Sequence, residues 1–279
     1  MSIQRPDVES YKPQIAAGVA LETPRFNRVV VGATLHLAEI INTFKPLKIT
    51  GEIPESGPFM VAFNHSHSLD GPLALIAVAW AAKRSSHIVA RDSLLDRRIK
   101  EEPEVLERTG KKNDWLNVDI KRTDIIGRVL AKLSVAKSDL LSWFILQGDP
   151  LGIHRGSKKD FNDAQVKAIM QAQIEGRGVL IAMEETRSKA LLEKPMDGPA
   201  VINRILWVEG GLNIPIIPTR IRVPLKLTDP RTWFKPFEVS FGEAISWKTY
   251  REQVKIADSN NIPKAHGLTL AIVDRIKSL

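Results

Sequence analysis

Pro58-Phe59-Met60-Val61-Ala62-Phe63, followed by Asn64-His65-Ser66-His67-Ser68-Leu69-Asp70, is the stretch that decides how this chain folds. Its first six residues form a short apolar run, the composition of a strand buried in a sheet. Residues 73–82 are apolar and alanine-rich, which predicts a buried helix. Strand, polar turn and helix in that order make the opening of an α/β unit. A regular helix rotates the chain by about 500° over five residues, which would set His65 and Asp70 on different faces. The histidine therefore belongs to the turn. Asp70 opens the helix, with Pro72 suited to its first turn, and from there the carboxylate can fold back to the imidazole.

Outward from this unit the pattern repeats. Leu47-Lys48-Ile49-Thr50, residues 59–63, Ile88-Val89-Ala90, Val179-Leu180-Ile181-Ala182, residues 214–221 and Phe237-Glu238-Val239-Ser240-Phe241 read as strands. Residues 73–83, 125–144, 162–175 and 200–209 read as helices between them. Such alternation predicts an α/β fold with a mostly parallel central sheet flanked by helices. In open sheets of this kind sites gather at the carboxyl ends of strands, where His65, Glu184 and Arg187 all fall. Residues 92–122 are highly charged and include Pro103 and Gly110, so an exposed insertion is expected there, as a lid or an acceptor-side wall. Residues 246–279 are expected to form two helices separated by Pro263.

The chemistry suggested by the turn is proton transfer. A carboxylate that accepts from one imidazole nitrogen fixes the tautomer and stabilises the imidazolium, leaving the other nitrogen to take a proton. The spacing alone does not exclude a core histidine satisfied by backbone groups, or an Asp70 that only caps a helix. More distant segments decide between these readings.

Four segments in order resemble the glycerolipid acyltransferase family, which includes the 1-acylglycerol-3-phosphate acyltransferases. Asn64-His65 through Asp70 matches that family's N-H-x4-D block. Gly152-Ile153-His154-Arg155 is similar to its arginine-bearing second block. Ala182-Met183-Glu184-Glu185-Thr186-Arg187-Ser188 resembles the F-P-E-G-T-R-S block, matching at Glu184, Thr186, Arg187 and Ser188. Ile214-Pro215-Ile216-Ile217-Pro218 resembles the proline-containing strand that closes the pattern. The similarity spans residues 47–245, an acyltransferase-like α/β domain preceded by residues 1–46 and followed by the helical segment 246–279.

The resemblance implies transfer of an acyl group from a thioester, on coenzyme A or acyl carrier protein, to a hydroxyl of a lysophospholipid, glycerol phosphate or related acceptor. It implies His65 as the base and Asp70 as its orienting partner. Arg155, Thr186 and Arg187 would bind substrate, the arginines holding an anionic head group through charge-assisted contacts. Glu184 would brace that pocket or bond a hydroxyl. No cofactor or metal is called for beyond the acyl thioester. Where the family has Gly, this chain has Glu185, which adds a carboxylate beside the expected phosphate position and points toward an unphosphorylated or bulkier acceptor. Arg155 also reads as part of a solvated turn, and Glu184 with Arg187 as a surface ion pair.

Two other readings stay open at this point. His65-x-His67-x-x-Asp70 resembles the metal block of metallo-β-lactamase-like hydrolases, although Asp70 comes one place late and no histidine follows it. A catalytically silent lipid-binding protein on the same fold is the other.

Composition narrows the partners. The 279 residues, 43% hydrophobic, suffice for one substantial core. There are no cysteines, which removes disulfides and thiolate metal sites. The net charge of +8 favours acidic partners: acyl-CoA, acyl carrier protein or an anionic membrane surface. Nucleic acid is not expected, because the cations are scattered among acids and no recognition signature is present. The first residues show no basic region followed by an apolar one, and no run is long enough to span a bilayer. Residues 26–44 carry apolar positions at near-helical spacing, flanked by Arg25, Arg28, Lys45 and Lys48. That pattern fits a core helix or an interfacial one, so the expected location is the cytoplasm, with or without attachment to the inner face of a membrane.

Overall fold

The computed structural model describes residues 31–91 apart from 33, 37, 40, 41, 44, 45, 68 and 85; residues 151–153; residues 163–184; and residues 191–279 apart from 225–229, 233, 234 and 254–264. Among the described residues seven strands form the sheet: β1 (Leu47–Thr50), β2 (Phe59–Phe63), β3 (Ser86–Arg91), β4 (Leu151–Ile153), β5 (Gly178–Ala182), β6 (Ile216–Arg222) and β7 (Phe237–Phe241). Their order is β1-β7-β6-β2-β5-β3-β4, which puts β2 in the middle. Every pairing is parallel except β6 with β7. The fold is therefore α/β with a mostly parallel sheet.

A central parallel strand must be apolar on both faces, and β2 is buried at all five positions. Phe59, Val61 and Phe63 join one core cluster with Leu180, Ile217 and Val239; Met60 and Ala62 join a second with Val179, Ile181 and Ile216. Helix α1 (Asp70–Ala82) covers the first face. It is buried along nearly its whole length, at Leu73, Ala74, Leu75, Ile76, Ala77, Val78, Ala79 and Ala82. Its apolar residues circle the helix instead of forming a stripe, as expected for an element enclosed by protein.

The opposite face is covered by α2 (Asp163–Ile174), α3 (Gly198–Gly210) and α5 (Ala265–Ser278), with the short α4 (Trp247–Gln253) placing a fully buried Trp247 in the same core. Helix α3 ends where the sequence supplies Gly211, whose φ of +64° is the left-handed geometry that closes a helix. Residues 31–43, where described, are helical, with Ala38 buried and His36, Glu39, Asn42 and Thr43 exposed. Among the described residues no helix is long and apolar enough to cross a membrane.

Two differences from the sequence reading concern the site. The sixth strand begins at Ile216, not at residue 214, because Pro215 has no N–H to donate and its carbonyl instead accepts the Met60 N–H at 2.9 Å. Gly152 and Ile153, read as part of a binding block, belong to the edge strand β4. The expected insertion over 92–122 and the expected helix over 125–144 lie outside the described residues.

Candidate active site

Strand β2 delivers its carboxyl end to a turn, Asn64 to Leu69, before α1 begins at Asp70. Where described, the turn is held by hydrogen bonds between side chains and main-chain groups. Asn64, which is buried, accepts the Ile221 N–H and donates to the Ile221 carbonyl, so its side chain substitutes for one more rung of the ladder to β6. Asp70 is fully buried, and its Oδ2 accepts both the Ser66 N–H and the His67 N–H at 2.6 Å. The helix thus begins with a carboxylate that turns backward. It fixes the loop before it and makes no side-chain cap on the helix, unlike the capping role that sequence alone suggests.

The same carboxylate faces the imidazole. His65 Nδ1 lies 3.8 Å from Asp70 Oδ2, an ion-pair separation longer than a hydrogen bond. The Nδ1 atom is buried, whereas the His65 side chain as a whole is 29% exposed, so its open area lies on its other atoms. A general base can use this arrangement: one nitrogen turned toward an anion, in a side chain that is partly open. Among the described residues neither His65 Nδ1 nor Asp70 Oδ1 has a hydrogen-bond partner. A small closing movement of the imidazole would satisfy the first, and apo sites often tighten in this way when substrate arrives.

Glu184 reaches the same turn from the carboxyl end of β5. It is 4% exposed, and its Oε2 accepts the His65 N–H at 3.1 Å. The chain around it is pinned: Met183 donates its N–H to Phe63 O at 2.7 Å, Met196 donates to Met183 O at 2.7 Å, and Glu184 bridges to Pro195. His67 is half-buried. Its Nδ1 accepts the Leu69 N–H at 3.1 Å, which in the neutral ring puts the proton on Nε2.

The structure therefore brings His65, Asp70 and Glu184 together at the ends of two neighbouring parallel strands. Arg155, Thr186 and Arg187 lie outside the described residues, as does Glu185. Among the described residues no three His, Asp or Glu side chains converge in a way that could hold a metal ion. The sequence motif includes Asn64 without assigning it a role. The available signal was its place, a side-chain amide immediately after a buried strand, where a polar group must find main-chain partners.

Compared with models of known protein families and with curated proteins, the chain matches none.

Proposed function

We propose that this chain is an O-acyltransferase that moves an acyl group from a thioester to a hydroxyl, with His65 as general base and Asp70 as its partner. The observation that carries the reading is the pairing of a partly open imidazole with a fully buried carboxylate at the carboxyl end of the central strand. The resemblance of Asn64 through Asp70 and of residues 182–188 to the glycerolipid acyltransferase blocks supplies the reaction class.

In this reading the acceptor hydroxyl gives its proton to Nε2 of His65 as its oxygen attacks the thioester carbonyl. The tetrahedral intermediate collapses by breaking the C–S bond, and the thiolate recovers the proton from the imidazolium. The buried Asp70 carboxylate, 3.8 Å from Nδ1, favours the cation formed midway. The chain needs no covalent acyl-enzyme, and it has no cysteine to form one.

The acyl donor is coenzyme A or acyl carrier protein. The acceptor is a lysophospholipid, a glycerol phosphate or a related alcohol, held by Arg155, Thr186 and Arg187. An acidic donor suits a chain of net charge +8, and peripheral attachment at the inner face of a membrane would bring the enzyme to lipid acceptors.

The test is incubation of pure protein with labelled acyl-CoA and a panel of lysophospholipids, glycerol 3-phosphate and neutral alcohols, with products read by mass. Transfer to at least one acceptor, lost in a folded His65→Ala variant by a factor of about 10²–10⁴, is the expected result. Turnover in His65→Ala close to that of the parent would overturn it.

A further inference from the structure

We infer that Glu184 is a positioning residue: its carboxylate holds the main chain of His65 and so aims the imidazole, without itself contacting the acceptor. The inference rests on the acyltransferase reading and assigns a role within that same site.

The argument begins where the sheet ladder ends. The last main-chain rung between β2 and β5 is Met183 N–H to Phe63 O. Beyond it the chain continues into a turn, and side chains replace the missing rungs on both flanks. Toward β6, Asn64 uses its amide on both main-chain groups of Ile221. Toward β5, Glu184 Oε2 takes the place of a carbonyl and accepts the His65 N–H at 3.1 Å. His65 is therefore held from the two strands that flank β2.

The neighbouring amides show the same device. His65 N–H goes to Glu184, and the Ser66 and His67 N–H groups go to Asp70. Consecutive amides of this kind make a concavity that attracts anions. Here the protein fills it with its own carboxylates, so these three donors are already engaged and a developing oxyanion must be met by other groups. At 4% exposure, Glu184 also presents very little surface to a substrate. Its place within the 182–188 block then acquires a mechanical meaning. The hydrogen bond from His65 N–H to Glu184 ties the strand end that leads into the expected acceptor-binding segment to the loop carrying the base.

The experiment compares Glu184→Ala, Glu184→Gln and Glu184→Asp with the parent and with His65→Ala, in steady-state transfer and in amide and imidazole NMR of labelled histidine. Gln keeps an acceptor oxygen at the same reach, whereas Asp keeps the charge and withdraws it by one methylene. Misplacement of a reacting group by about 1 Å costs on the order of 10²-fold. Glu184→Ala and Glu184→Asp are therefore expected to lower kcat by about 10- to 100-fold with KM for the acceptor within about twofold, and Glu184→Gln to recover most of that loss. The His65 amide proton is expected to move upfield in the Ala and Asp variants, with the imidazole resonances shifting too.

A rise in acceptor KM at unchanged kcat would overturn the inference in favour of direct acceptor contact, and so would a Gln variant as impaired as Ala. Should Glu184→Ala fail to fold, the Gln and Asp pair decides alone. Full activity in His65→Ala, or no transfer by the parent, would instead sink the acyltransferase reading. In that case histidine resonances unmoved by Glu184→Asp would show that the carboxylate does not hold the loop, and moved ones that it does.

Discussion

Asn64 closes its side-chain amide on both main-chain groups of Ile221, accepting the N–H at 2.7 Å and donating to the carbonyl at 3.0 Å. The pair is buried, so neither Ile221 group can turn to bulk water if the side chain is removed. Asn64→Ala should cost about 1–3 kcal/mol for each group left without a partner, and it should loosen the turn that carries His65. Asn64→Asp should be no better, because a carboxylate cannot donate to the Ile221 carbonyl. Urea denaturation measures the first effect, and a midpoint equal to the parent's would show that another group or a buried water takes over.

Asp70 performs two tasks that substitution can separate. Its Oδ2 organises the Ser66 and His67 amides, a task any side-chain carbonyl oxygen can share. Its charge faces His65 Nδ1, a task that needs the anion. Asp70→Asn should therefore remain folded, with kcat reduced by about 10²- to 10⁴-fold. Asp70→Ala should lose both the loop geometry and a measurable part of its stability. Circular dichroism beside steady-state kinetics tells the two variants apart. Equal loss of folding in both would mean that the charge matters to structure and not only to the base.

The contrast between these roles explains what could be read from residues alone. Strand β2 and helix α1 were legible because apolar runs of different length leave little freedom: five consecutive buried residues suit a central strand, and the longer apolar run over 73–82 suits a largely enclosed helix. The convergence of His65 and Asp70 was legible for a related reason, since a helix beginning at Asp70 leaves the preceding turn within reach. The direction of the Asp70 carboxylate was not. Whether it caps the helix ahead or the loop behind depends on which amides the turn exposes, a property of φ and ψ that spacing does not encode. The reach of Glu184 to the His65 amide was hidden as well, because it requires β5 to lie directly beside β2. Local pattern gives the strands, but their order in the sheet is set by long-range packing. The three-residue β4 was missed because three residues carry no periodicity.

Arg84, immediately beyond α1, ties down the approach to β2. Its guanidinium donates to Gly57 O at 2.9 Å, to Pro54 O at 3.4 Å and to Gly176 O at 2.8 Å, and it lies 5.3 Å from the centre of the Phe59 ring. Burial lowers its pKa from the ordinary arginine value, yet no neutral side chain supplies such a fork of donors. Arg84→Lys keeps the charge and loses the planar fork, so it should be destabilised almost as much as Arg84→Ala, by about 1.5–3 kcal/mol. Thermal melts of the two variants test this. A lysine variant as stable as the parent would show that charge alone secures the loop.

Gly178 stands opposite Phe59 in the parallel pairing of β2 with β5, and the Phe59 ring fills the space where a side chain at 178 would begin. The ring is fully buried and lies beneath the Arg84 guanidinium, so it has little room to move aside. Gly178→Ala should therefore overpack the central pair at a cost of about 1–3 kcal/mol. Gly57 is the natural control. Its φ of +74° makes a Cβ strained, but nothing lies within 4 Å of where that atom would sit. Gly57→Ala should consequently cost only the left-handed penalty, about 1–2 kcal/mol, and leave the site alone. Because Phe59 and Gly178 set the register that brings Glu184 beside His65, Gly178→Ala should also lower turnover, whereas Gly57→Ala should not. Combining Gly178→Ala with Phe59→Leu should recover part of the lost stability, since the clash is with the ring itself. Additive losses in the double variant would place the strain elsewhere.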